Sequence, residues 1–360
     1  MAHDIDCFSA SYAEARSRFL AGAAAARLKV HSHAMPLRGA DGEELAMDVA
    51  WQGPPEADKL FILSSGCHGI EGYAGSGVQV ALLHDDSIAQ AARAAGVAIL
   101  YVHALNPHGF SWCRRVTSEN VDLNRNFVDF SKPLPANPAY ERLAPLLLPS
   151  EWPPGIANTV QLAAFTLRHG MNALQAAVSS GQYSDPRGLF FGGHAPTWSQ
   201  VTLRRVLREF ASSRSRIGWV DIHTGLGPRG VGERILSARH DDATRARARA
   251  WWGDGVTSTE DASSTSAALN GQMWSVIGEE CPAAEYTGIA LEFGTAPRLQ
   301  VLQALRGDHW LAQHPEAPPG LQRSIKRRLR EAFYVETPQW KRSVLEQAAD
   351  AVTAALRGLA

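Results

Sequence analysis

Residues 64–72 read SSGCHGIEG and follow the apolar run KLFIL. They set His68 and Glu71 three residues apart among Ser65, Gly66, Gly69 and Gly72. Two later stretches have the same form, an apolar run, a polar residue, then glycine or another small residue. WVDIHTG carries His223 and IALEFGT carries Glu292. Imidazole nitrogen and carboxylate oxygen bind zinc at about 2 Å, and three such ligands leave a fourth position for water. His68, Glu71 and His223 would make that set. The metal brings the pKa of water toward about 7. A carboxylate off the metal must then take the proton and pass it to the leaving group. Glu292 suits that task, because desolvation at an apolar strand terminus raises a carboxyl pKa.

Taken singly, each signal is weak. His223 reads equally well as a hydrogen-bonded core histidine, and Glu292 as a buried carboxylate paired with arginine. The shared context of strand, polar residue and small residue joins them, although 155 residues separate His68 from His223. The HExxH pattern of helical zinc proteases is absent. Cys67 stands beside His68, but no other feature supports a Cys–His dyad. A further segment, CRRVTSENVDLNRNF at 113–127, is dense in polar groups. Arg125, next to Asn124, could hold a carboxylate bidentately. Arg115, nine residues before Asn124, could stabilise the oxyanion formed on a carbonyl under attack. Alone, the segment reads as a solvated charged loop.

The elements that must position these groups follow from periodicity. Residues 8–27 read as a helix. VHSHAMPL and ELAMDVAWQ alternate, and the Asp41-Gly42 turn between them predicts a hairpin. KLFILSS and GVAILYVHAL read as buried strands, joined by a glycine loop and the helix GSGVQVALLH. That order favours a crossover unit and a parallel sheet. LRRVLREFASSR and residues 338–358 read as helices, and RIGWVDIHTGLG and GIALEFGTAP as strands. The Pro-rich stretch 131–155 reads as irregular. It opens a loop-rich excursion over about 131–192 that also holds a helical segment, ANTVQLAAFTLRHGMNALQAAVSSGQ. The expected fold is one α/β/α domain over 1–360, with a mixed, mostly parallel, twisted sheet and the site at the carboxyl ends of its central strands.

Composition narrows the function classes. Of 360 residues, 35 are Lys or Arg and 36 Asp or Glu, so no basic excess suggests nucleic acid. Apolar runs stop well short of the roughly 20 residues of a membrane span. The first residues lack an apolar h-region, and Cys7, Cys67, Cys113 and Cys281 are widely spaced. Both features fit a cytoplasmic protein with reduced thiols.

In order, HGIE, DLNR, DIHTG and LEFGT resemble the motifs of M14-type zinc carboxypeptidases and their relatives aspartoacylase and succinylglutamate desuccinylase. NPHGF, RRV…ENVDLNRNF and GQYSDPRGLFFGG resemble the DUF2817 branch of that superfamily. The similarity runs from about residue 8 to 355. It implies a carboxypeptidase-like fold with one Zn2+ per chain, held by His68, Glu71 and His223. It further implies Glu292 as general base and Asn124-Arg125 as the holder of the substrate's terminal carboxylate. Arg115 would polarise the scissile carbonyl, with Arg114 as its rival. The resemblance also implies a tyrosine upstream of the base. Tyr286 lies closer to Glu292 than expected, and Tyr183 competes with it for substrate contact. The expected activity is hydrolysis of an amide bond in a short peptide or acylated amino acid with a free carboxylate, through zinc-activated water. Alternatives are an N-acyl-amino-acid deacylase and a non-catalytic metal- or peptide-binding module. The partner is a small substrate, with neither nucleic acid nor membrane involved, and a homo-oligomer is open.

Overall fold

Eight strands form one mixed sheet: β1 (Lys29–Arg38), β2 (Glu44–Gln52), β3 (Lys59–Ser65), β4 (Val97–His103), β5 (Arg216–Arg229), β6 (Gly232–Leu236), β7 (Val256–Thr257) and β8 (Glu285–Gly294). The computed structural model describes residues 5–261 and 263–360. Spatial order is β1-β2-β4-β3-β5-β8-β6-β7. The centre, β4-β3-β5-β8, is parallel throughout. The hairpin β1-β2 adds to it antiparallel through β2 and β4, and β6 adds antiparallel to β8.

The central strands are continuous apolar runs because both of their faces are covered. Leu60 and Ile62 of β3 point into one core with Leu100, Trp219, Leu203 and Val276. Phe61 and Leu63 point into the other, with Tyr101, Val220, Val78 and Val352. Helices Tyr12–Ala25, Gly72–Leu83 and Pro338–Leu359 cover the second face, and Trp198–Phe210 the first. In the β1-β2 turn Gly42 adopts φ 81°, as Asp-Gly hairpins favour.

The 131–192 excursion is more helical than its proline content suggests. Helices span Pro138–Leu147, Ile156–His169 and Met171–Ser179. Pro138 opens the first of them beneath an Asn137 cap, where its missing N–H costs nothing. Strands β6 and β7 and helices Asp242–Trp252, Arg298–Gln313 and Pro319–Phe333 were not foreseen.

Candidate metal centre

The chain leaves β3 through Gly66, at φ +69°, and turns into a single 3-10 turn at Gly69–Glu71. Gly69 packs on the Gly109–Phe110 backbone so closely that a Cβ would overlap both residues. The Gly69 N–H donates to the Arg115 carbonyl (3.0 Å) and the Ile70 N–H to the Arg114 carbonyl (2.8 Å). Those two bonds dock the 113–127 segment onto the His68–Glu71 turn.

Glu71 is shared by both histidines. Its Oε1 lies 2.8 Å from His68 Nδ1 and its Oε2 lies 2.9 Å from His223 Nδ1. One ligand atom from each residue falls within 4.8 Å of the others. On the far sides of the rings, His68 Nε2 meets Asp122 Oδ1 at 3.2 Å and His223 Nε2 meets Asp221 Oδ2 at 2.5 Å. A carboxylate behind each imidazole fixes its orientation and raises its basicity, the arrangement found around metal-ligating histidines. Asp221 is held in turn by Ser64 Oγ (2.5 Å), which accepts from Trp219 Nε1 (2.7 Å).

Arg115 faces the same cluster. Its Nε donates to Asp122 Oδ2 (3.0 Å) and its Nη1 to Glu71 Oε1 (3.1 Å). Its Nη2 lies 2.8 Å from His68 Nε2, so Arg115 and Asp122 compete for that nitrogen according to its protonation. Arg114, one residue earlier, turns away to Asp308 and Asn120.

Burial penalises every charge here, and partners decide the outcome. It pushes the Glu71 and Asp122 carboxyls up. The two histidines outweigh it for Glu71, and Arg115 with Arg125 for Asp122, so both sit below the usual carboxylate range. For His223 burial is outweighed by Asp221, which holds the imidazole well above its ordinary value. Glu292 goes the other way. Burial, with the Glu71 charge adding to it, pushes its carboxyl up to about 8. Its Oε1 accepts from the Leu226 N–H at 2.9 Å.

The donor set fits a divalent cation: two imidazole nitrogens and a carboxylate, with Asp122 and Asp221 behind the imidazoles. His68, Glu71, Arg115, Asn124, Arg125, His223 and Glu292 all line one cavity of about 1050 Å³, counting space open to solvent. Asn124 Oδ1 accepts from the Met273 N–H (2.8 Å). Arg125 is buried and donates to the Ser179 and Asn124 carbonyls.

The two tyrosines do not join this group. Tyr183 is buried and donates to the Arg125 carbonyl at 2.6 Å, bracing the loop from behind. Tyr286 is the second residue of β8, paired with Ile217 at the opposite end of the strand from Glu292, and donates to the Ser237 carbonyl. Neither lines the cavity. Cys67 is fully buried, and burial pushes its thiol far up, which disfavours a thiolate nucleophile. Asp122 and Asp221 escaped the sequence reading. Asp221 had left a signal, since an aspartate two residues before a histidine on a strand shares its face.

A mixed sheet that gathers two histidines and several carboxylates at its strand ends makes this an α/β protein with a candidate metal centre. The chain belongs to the DUF2817 family, described as "Protein of unknown function", whose profile matches residues 8–347. No curated protein matches the sequence. Among solved structures it is similar to a metallo-carboxypeptidase from Burkholderia cenocepacia at 12% identity, covering 96% of this chain and 68% of that one, with a TM-score of 0.46. It is similar to thrombin activatable fibrinolysis inhibitor at 11% identity, covering 85% and 76%, with a TM-score of 0.47. Murein-tripeptide amidase MpaA from Escherichia coli O157 is similar at 14% identity, covering 86% and 93%, with a TM-score of 0.33. No helix among the described residues is long and apolar enough to cross a membrane.

Proposed function

We propose that the chain is a zinc-dependent hydrolase of amide bonds, acting on a small peptide or acylated amino acid with a free carboxylate. The observation that carries this reading is the placement of desolvated Glu292 in the same cavity as the His68–Glu71–His223 cluster. His68, Glu71 and His223 would hold the metal. Bound there, zinc would acidify water and polarise a carbonyl.

The chain's own groups have the remaining tasks. Glu292 as the carboxylate accepts a proton from water, more readily because burial raises its pKa, and as the acid returns it to the departing nitrogen. Arg115 offers a positive charge beside the cluster, where charge develops on the carbonyl oxygen. Asn124 and Arg125 receive the substrate carboxylate. Asp122 and Asp221 orient the two imidazoles.

Peptidase and N-acyl-amino-acid deacylase activities would use the same groups. Short peptides assayed against acetylated and succinylated amino acids separate the two. Elemental analysis of protein purified without added metal tests the premise. About one zinc per chain, lost in His223→Ala, supports it. Protein that takes up no metal even when zinc is offered overturns the hydrolase reading.

A further inference from the structure

The cavity extends past the candidate metal centre between two helices that no motif singled out. Met171, Leu174 and Val178 line it from helix Met171–Ser179, and Val301, Leu302 and Leu305 from helix Arg298–Gln313. These positions recur at three- and four-residue spacing, so each helix turns an apolar stripe to the cavity.

A second arginine stands on this wall. Arg298 is the first residue of its helix, in a first turn without acidic residues. That is the unfavourable end of the helix dipole for a cation. Its Nη1 donates to Asn172 Oδ1 (2.9 Å) and Gln175 Oε1 (2.8 Å). Two neutral amides therefore steer the guanidinium without neutralising it. The exposed Nε–Nη2 edge, the side that grips a carboxylate bidentately, has no hydrogen-bond partner among the described residues.

Helix Met171–Ser179 relates this arginine to the inner one. Arg125 donates twice to the Ser179 carbonyl at the helix's last turn, while Asn172 and Gln175 hold Arg298 nearer its start. Four to seven residues of helix correspond to roughly 6–10 Å of axial rise. Three of the five N–H groups of Arg125 donate to backbone carbonyls, which leaves two for a ligand.

We infer that this site takes an elongated dianion. One carboxylate meets Arg125, an apolar spacer lies along Leu174, Val178 and Leu302, and a second anionic group meets Arg298. The inference rests on the proposed function only in taking Arg125 as the inner carboxylate anchor.

The test is calorimetric binding of α,ω-dicarboxylates of four to ten carbons to the protein as purified. Each is compared with the monocarboxylate of the same length. At one length the dicarboxylate should bind at least about tenfold more tightly, the scale of one charge-assisted contact. Arg298→Gln should remove that preference and leave the monocarboxylate affinity unchanged, and Arg298→Lys should keep part of it. Equal affinities at every length, a preference that survives Arg298→Gln, or no binding by either class would overturn the inference. The length optimum is read on the unaltered protein, so a variant that fails to fold does not remove the test. Binding is measured without turnover. A protein that shows the preference but hydrolyses nothing keeps this inference and loses the hydrolase reading. One that hydrolyses amides with no preference does the reverse.

Discussion

His223 on β5 and Glu292 on β8 stand directly opposite each other in a parallel pairing. Residues in register point to the same face of a sheet. The pairing therefore sets a histidine already committed to Glu71 beside a carboxyl that burial pushes up to about 8. Glu292→Gln keeps the shape and removes the proposed base. Metal content should be unchanged, while kcat/KM on a cleaved amide falls by about 10²–10⁴. A variant that turns over normally would remove Glu292 from the mechanism.

Asp122 and Asp221 touch His68 and His223 rather than the cavity's contents. Asp122→Asn and Asp221→Asn should each weaken zinc binding by about 10–100-fold. Competition with a chelating dye reads this directly. Wild-type affinity in both variants would mean that the two carboxylates have a purely structural role.

Gly69 lies where a methyl group would overlap the Gly109–Phe110 backbone. Gly69→Ala should destabilise the fold by about 1–3 kcal/mol, as overpacking does, and weaken metal binding by displacing His68 from Glu71. Urea unfolding and dye competition together check this. The idea fails if both are unchanged.

Asp308 is buried and bonds Arg114 Nε at 3.0 Å and Lys326 Nζ at 2.6 Å. Burial pushes its carboxyl up, but the two cations outweigh that and hold it at about 2. The native carboxylate binds fewer protons than the unfolded one. Its stabilisation is therefore present above about pH 4 and lost as pH falls through 2. Asp308→Asn should cost about 2–4 kcal/mol at pH 7, discounted for the partial exposure of Lys326. The gap from wild type should narrow at pH 2.5. A gap independent of pH would assign the loss to packing.

His103 is fully buried, stacked on Phe19 with 4.5 Å between ring centroids, and its Nε2 lies 2.8 Å from Ser76 Oγ. Burial pushes its pKa down to about 4. The folded state holds this imidazole neutral, so stability present above pH 6.5 declines as pH drops toward 4. The loss should be on the order of 3 kcal/mol. Urea titrations from pH 7 to 4 should show a shallower decline for His103→Gln than for wild type. Parallel slopes would contradict the assignment.

Much of this was legible from local pattern. Residues 60–63 of β3 and 97–102 of β4 are apolar at every position because helices cover both faces of the sheet. The Asp41-Gly42 turn marks a hairpin through backbone conformation alone. Proline misled in the excursion, because Pro138 begins a helix rather than breaking one. Tyr286 stands apart from Glu292 because proximity in sequence is distance along a strand. At about 3.3 Å per residue, six residues carry Tyr286 to the other end of β8.

The sequence by itself determined which groups were available. The three-residue spacing of His68 and Glu71 puts both on one side of the 3-10 turn that Gly69 and its neighbours form. Tertiary structure decided the remainder. Sheet order brought His223 to Glu71, two backbone hydrogen bonds to Gly69 and Ile70 selected Arg115 over Arg114, and helix packing set Arg298 on the wall of the same cavity. Such contacts span up to hundreds of residues. They depend on strand register and crossover packing, which no local spacing encodes.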